Sequence, residues 1–336
     1  MNVRKRTGIR CCSIFVLCSL LLMTIITPLA ACPFCPGPST TLSEQLAQAD
    51  VAILGQWSSA REGSLQKTGQ TSFIISEVLH QPLKSNLKIG DPITLSRHYS
   101  GNPGDVFLLT GARGISLHWN EPVTVTSASI HYLKQAPAQK NETSQRLRYF
   151  LNYLEHPDQI IANDAFAEFA NAPFEAITPL AKDLPREKLR SWLENENTPV
   201  PRLGLYGLLL GLCGQESDIQ FMEAKIQLPA QEMRMGIGGL MSGYLLLTGS
   251  GGLDKIDETK FRDKTAAFSE TFAGMQALSF MWTFGENKIE KRRLNQSMRL
   301  LLERPELADL VVANLARWED WTVMDRLAEL YAAKDY

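Results

Sequence analysis

Cys32-Pro33-Phe34-Cys35 is the tetrapeptide whose residue types and spacing most plainly permit chemistry. Two thiols at this spacing can form and break a disulfide, and a helix beginning at the first cysteine would lower its thiol pKa. Pro36-Gly37-Pro38 follows, however, and cannot start a regular helix at once. Pro36 also stands where a c-type haem site requires histidine. A zinc site would need two further ligands, and no paired Cys or His spacing supplies them. The five histidines are His80, His98, His118, His131 and His156, with no HExxH and no i, i+4 pair. His98 and His131 alternate with apolar residues and are expected on the surface of strands. His118-Trp119-Asn120-Glu121, expected in a loop, is the most site-like cluster, so His118, Trp119 and Glu121 are binding candidates. Asp164 and Glu168 stand at i, i+4 near Lys and Arg, and are expected on a solvated helix face rather than as a catalytic pair. There is no GxSxG elbow, Walker A loop or GxGxxG after a strand. The sequence therefore supplies no catalytic residue, no metal site and no cofactor.

What precedes Cys32 decides how its sulfur is used. Arg4, Lys5, Arg6 and Arg10 are followed by no charge until Glu44, and residues 13–31 are almost wholly apolar. A basic start, an apolar core and small residues at its end make an export signal, expected over 1–31. Pro28 would break a helix near the cleavage point. Leu29-Ala30-Ala31-Cys32 resembles the lipobox of bacterial lipoproteins, and that resemblance implies lipidation of Cys32 after cleavage. Plain cleavage near Ala31 and an uncleaved anchor remain the alternatives. Acylation and a Cys32–Cys35 dithiol or disulfide exclude each other.

Net charge is −2, with 34 basic and 36 acidic residues, which leaves no electrostatic footprint for nucleic acid. The basic run Lys288–Arg293 is expected to be a solvated helix face. Cys213, within LLLGLCG, is expected to be a small buried hydrophobe.

Two architectures succeed one another behind Cys32. Thr41 and Glu44 have capping-box spacing before a short helix. Then 51–57, 71–79, 92–98, 106–112 and 123–133 are short β-branched and aromatic runs, separated by the turns LKIGDP, SGNPGD and GARG. Five strands in this length predict a small OB-like β-barrel. ADVAILGQW, TSFIISEVL, LKIGDPITL and GDVFLLTG resemble the netrin-like and tissue-inhibitor-of-metalloproteinase-like OB domains. Inhibitors of that family open with Cys-x-Cys, whereas this chain has Cys32-Pro-Phe-Cys35 and no further cysteine in the domain.

Residues 134–144 are polar and are expected to be a linker. From 145 to 336 apolar residues recur at helical spacing. RLGLYGLLLG from Arg202 is repeated as RMGIGGLMSG from Arg234, an offset of 32 residues. That period predicts an α-α solenoid and resembles the degenerate HEAT/armadillo-like repeats of exported bacterial proteins. Gly204, Gly207, Gly236 and Gly239 lower helix propensity, which close helix–helix approach would repay. These helices are too short for a span of about twenty residues. Trp318 and Trp321 are expected at a helix end packed on the last repeat.

The expected organisation is thus multidomain α and β: an export signal 1–31, an N-terminal cysteine segment with a short helix 32–49, an OB-like domain 50–133, a linker 134–144 and a HEAT-like domain 145–336. The expected function is that of a non-enzymatic, exported, membrane-anchored interaction or scaffold protein in the cell envelope, with a protein partner and no nucleic acid. Thiol–disulfide or metal handling through Cys32 and Cys35 is the first alternative, and inhibition of an extracellular metalloprotease the second.

Overall fold

The Thr41 hydroxyl accepts from the Glu44 amide at 3.2 Å while the Glu44 carboxylate accepts from the Thr41 amide at 2.9 Å. This reciprocal cap opens helix α1, Leu42–Gln48. In the computed structural model, residues 34–35, 39–64, 66–83, 85–114, 117–228 and 234–332 are described. The expected export segment and Cys32 lie outside them. The described residues all belong to one compact unit, Ala31–Tyr336.

After α1 comes an antiparallel sheet of β1 Val51–Arg61, β2 Gln70–His80, β3 Pro92–Leu95, β4 Val106–Arg113, β5 Leu117–Trp119 and β6 Val123–Val125. The strand order is β3-β2-β1-β4-β5, and β6 also pairs with β4. β1 is central, with Leu54 opposite Leu108 on β4 and Gly55 opposite Ile75 on β2. Gly55 sits where a Cβ would come within 2.7 Å of Leu109 Cδ1, so no larger residue fits there without displacement. Pairing between β3 and β5 or β6, which would close the sheet, is absent among the described residues.

The VAIL run of β1 is buried on both faces, and period-2 alternation divides it. Val51 and Ile53 pack with Phe73, Ile75, Ile93, Leu95, Phe107 and Leu109 in a core belonging to the sheet alone. Leu54 and Leu108 face the other way and join a larger core that runs through the helices as far as Leu330. Sheet and helices are therefore joined by apolar packing as well as by chain.

Four sequence expectations are corrected. Residues 127–133, read as the end of a strand, belong to helix α2, Ser127–Gln135. Its N-cap Thr126 and Ser129 reproduce a capping box with serine in place of the usual Glu or Gln, and Ser129, Tyr132 and Leu133 are buried at helical spacing. β3 ends at Leu95, short of residue 98, and β4 runs on to Arg113 through residues read as a turn. The stretch 134–144 is only in part a connection, because α2 extends to Gln135 and the next helix begins at Thr143.

The rest is helical: α3 Thr143–Phe150, α4 Gln159–Asn171, α5 Phe174–Ile177, α6 Arg186–Glu194, α7 Val200–Cys213, α8 Glu216–Gln227, α9 Ile237–Thr248, α10 Ser250–Ile256, α11 Phe268–Phe284, α12 Lys291–Leu300, α13 Ala308–Arg317 and α14 Met324–Ala332. No helix among the described residues is long and apolar enough to cross a membrane.

The repeated glycines form the seam between α7 and α9. A Cβ on Gly239 would fall 2.2 Å from the Gly204 carbonyl oxygen, one on Gly243 would fall 2.1 Å from that of Gly207, and one on Gly211 would fall 2.2 Å from Gly243 Cα. The partners advance together along both helices, so α7 and α9 run parallel with their backbones in contact. The 32-residue repeat is thus a pair of side-by-side helices. Its two leading arginines both bind their surroundings: Arg202 bonds Glu155 and Asn163 at 2.7 Å each, and Arg234 bonds Glu270 at 2.8 Å and the Lys225 carbonyl at 2.6 Å.

Candidate functional site

Asp164, Glu168 and Asn171 lie at i, i+4 and i+7 on α4, on the side that meets the N-terminal segment. Both acids are buried, with 7% and 6% exposure, which corrects the expectation of a solvated face. Asp164 Oδ1 accepts from the Leu42 amide at 2.6 Å, and Oδ2 accepts from the Tyr132 hydroxyl at 2.7 Å. Glu168 accepts from Arg146 at 2.6 Å and from the Ser43 hydroxyl. The Ser43 oxygen accepts in turn from Gln139 at 2.7 Å and Arg146 at 3.2 Å. Asn171 donates to the Ser39 carbonyl at 2.8 Å. Residues 39–43 are therefore held on the helices by α4, with α2 and α3 closing the sides.

The electrostatics follow from this burial. Desolvation pushes Asp164 up to about 6, against the opposing pull of the bonds from Leu42 and Tyr132. The Tyr132 phenol is pushed far above its ordinary value by burial and by Asp164, so it stays a donor. Tyr132 stacks on Tyr149 at 5.6 Å and meets the Tyr153 ring edge-on at 4.9 Å. Every acceptor oxygen of the two acids has a protein partner. The arrangement is chemically a clasp: it holds a backbone segment and leaves no oxygen free for a substrate. Its signal in the sequence was IIANDAFAEFANA, which is apolar on nearly every side, so some of its polar residues had to be buried too; Asp164 and Glu168 are, while Asn163 stays exposed.

The binding candidates do not converge. Trp119 packs against the sheet's own core. His118, placed on β5 rather than in a loop, is exposed. Glu121 lines an open cleft of about 860 Å³ with Asn120, Gln45, Gln48 and Ile160. His131 is exposed on α2, not on a strand, and His98 lies beyond the end of β3. Cys213 is free and half-buried, and burial pushes its thiol up to about 11. The run 288–293 is only partly solvated: Lys288 donates to the Leu246 carbonyl at 2.7 Å, Ile289 is buried, and Arg293 bonds Asp257 at 2.7 Å. Trp318 is buried and stacks on Trp282 at 4.3 Å, whereas Trp321 is exposed.

Cys35 is disulfide-bonded, and Cys32 lies outside the described residues. Cys35 and its neighbour Phe34 are half-buried against the helical core. The Phe34 ring lies 5.5 Å from that of Phe280 on α11. Cβ atoms built on Gly204 of α7 and Gly238 of α9 would come within 3.0 Å of its carbonyl oxygen and 3.3 Å of its ring. Phe34 thus rests across three helices, and the glycines of the repeat make room for it.

A second polar cluster lies where α9 and α11 begin. Glu270 is bonded by Arg234 and by Lys260 Nζ at 2.7 Å, with side chains of Lys260 and Glu270 only 8% and 3% exposed. Burial raises the Glu270 pKa, but the bonds from Arg234 and Lys260 outweigh it and hold the carboxyl below its ordinary range. Lys260 lies in a π-helical turn, Asp257–Phe261, which borders an open cleft of about 700 Å³. Such turns are frequent at functional sites, but here the lysine is bound by a buried carboxylate. Among the described residues, no group of three or more His, Cys, Asp or Glu could hold a metal ion. No protein-family model, curated protein or solved structure matches this chain.

Proposed function

We propose that this protein is a non-enzymatic, exported interaction protein of the cell envelope, anchored to a membrane through the apolar run that ends just before Cys32 and offering its sheet and helical array to a protein partner. The observation that carries this reading is the way the N-terminal segment is built into the body. Phe34 docks on α7, α9 and α11, and residues 39–43 are clasped by Asp164, Glu168 and Asn171. A tether ending just before Cys32 would then hold the whole body at fixed height and orientation, as a scaffold requires. The strand order, with β1 between β2 and β4, supports an OB-like sheet of the netrin-like kind. The parallel, glycine-matched α7 and α9 support HEAT-like repeats. Intact mass of the membrane-extracted protein tests the anchor: a chain that retains residues 13–31 is expected, because acylation of Cys32 in a chain cleaved at residue 31 would leave Cys35 no disulfide partner. Cross-linking in the native envelope then captures the partner.

The disulfide at Cys35 favours a second reading, thiol–disulfide exchange. Reversible cycling of two thiols with insulin reduction, in a chain without residues 13–31, would replace the scaffold reading.

A further inference from the structure

Four exposed apolar side chains gather where α7, α9 and α11 begin. Val200 opens α7, Met235 precedes α9, Phe268 opens α11 and Leu228 follows α8, with exposures of 46%, 49%, 48% and 55%. They adjoin one another. Leu228 and Met235 line one small cleft with Leu203, which is one turn from Val200. Leu228 also lines the neighbouring cleft with Ala266 and Ala267, which lead directly into Phe268. Apolar side chains exposed singly need no explanation, but a contiguous set marks a contact surface.

The chain outside the described residues indicates what covers this set. The uncharged apolar run 13–31 ends two residues before the first described residue, Phe34. Phe34 contacts Gly204 and Gly238, and Gly204 in turn abuts Gly236, the residue next to Met235. Two residues of chain span at most about 7 Å. Any membrane anchor just ahead of Phe34 therefore holds the beginnings of α7 and α9, which carry Val200 and adjoin Met235, close to the lipid. We infer that Val200, Leu228, Met235 and Phe268 form a bilayer-contacting edge that dips into the headgroup region of the membrane carrying the anchor. This rests on the anchored reading proposed above and adds orientation to it.

Tryptophan placed at the edge in the full chain tests this, with phosphatidylcholine vesicles containing brominated acyl chains. Met235→Trp, Phe268→Trp and Leu228→Trp are compared with Leu83→Trp and Tyr331→Trp, both at exposed positions away from the edge. All five substitute exposed side chains, and an unchanged melting curve confirms the fold of each. The added fluorescence at 228, 235 and 268 is expected to be quenched at least twofold more than that at 83 and 331. Flotation with the vesicles but equal quenching at all five positions overturns the oriented edge and leaves the anchor standing. Failure to float overturns both. Protection of 235 and 268 from quencher by a cross-linked protein, in a chain that floats, assigns the edge to that protein and overturns the lipid contact.

Discussion

The Tyr132 hydroxyl donates to Asp164 at 2.7 Å, inside a pocket whose other bond to Asp164 comes from the Leu42 amide. A carboxylate bonded twice would ordinarily titrate low; here burial wins and its pKa stands near 6. The sign follows from linkage. Between about pH 4 and pH 6 the folded chain holds a proton on Asp164 that the unfolded chain has lost, so stability from this group is full below pH 4 and falls as pH rises through 6. Two pKa units correspond to about 3 kcal/mol. Asp164→Asn keeps an acceptor for Leu42 and cannot ionise. Its melting temperature relative to the parent is expected to rise from about pH 4 to pH 6 and to level off above that; a constant difference between pH 4 and pH 6 refutes the buried titration.

The α7–α9 seam gives a contrast between glycines of the same region. Gly243→Ala drives a methyl into the Gly207 carbonyl and must separate two backbones, at a cost of about 3 kcal/mol. Gly251→Ala, in α10, meets nothing within 4 Å and gains helix propensity, up to about 1 kcal/mol. Chemical denaturation of the two variants is expected to give shifts of opposite sign.

These glycines show what could be read from the sequence. A 32-residue repeat carrying glycine in apolar helices made little sense unless the helices touched, and they do. Hydrophobic alternation likewise placed β1, β2 and β4. It failed at 127–133, where the β-branched Val123–Thr126 run passes straight into a helix whose capping box ends in serine. Asp164 and Glu168 were misread because i, i+4 spacing says which residues share a helix face but not what lies opposite that face. Their partners, Leu42 and Ser43, are more than a hundred residues away in sequence. The candidate group His118, Trp119 and Glu121 is spread out for the converse reason: alternation along β5 exposes His118 and packs Trp119 on the sheet's core, while Glu121 lies beyond the strand.

The Glu270 triad offers a test of how buried charges share one carboxylate. Removing Glu270 strands Arg234 and Lys260 with no counter-charge, and Glu270→Ala is expected to cost about 3–5 kcal/mol. Lys260→Met leaves Arg234 bonding both carboxylate oxygens and is expected to cost less than about 1 kcal/mol. Because Glu270 titrates below its ordinary value, its contribution is present above about pH 4.5 and is lost as pH falls through the lower, folded-state value. Urea melts of both variants at pH 7, and of the parent from pH 6 down to pH 3, measure these effects.

Phe34 separates the packing of the N-terminal segment from its clasp. Its ring is half-buried against Phe280 and Gly238, so Phe34→Ala removes about 1–2 kcal/mol of burial without touching a hydrogen bond. The clasp at 39–43 depends instead on Asp164, Glu168 and Asn171. Hydrogen exchange followed by mass spectrometry distinguishes the two. In Phe34→Ala, amide protection is expected to persist at Leu42, whose N–H still faces Asp164, while the melting temperature drops by a few degrees. In Asp164→Ala, protection at Leu42 is expected to fall by at least tenfold with the Phe34 contact intact. If the two variants lose protection at Leu42 equally, docking and clasp form one cooperative unit, and Phe34 depends on α4 as much as on the glycine-lined helices beneath it.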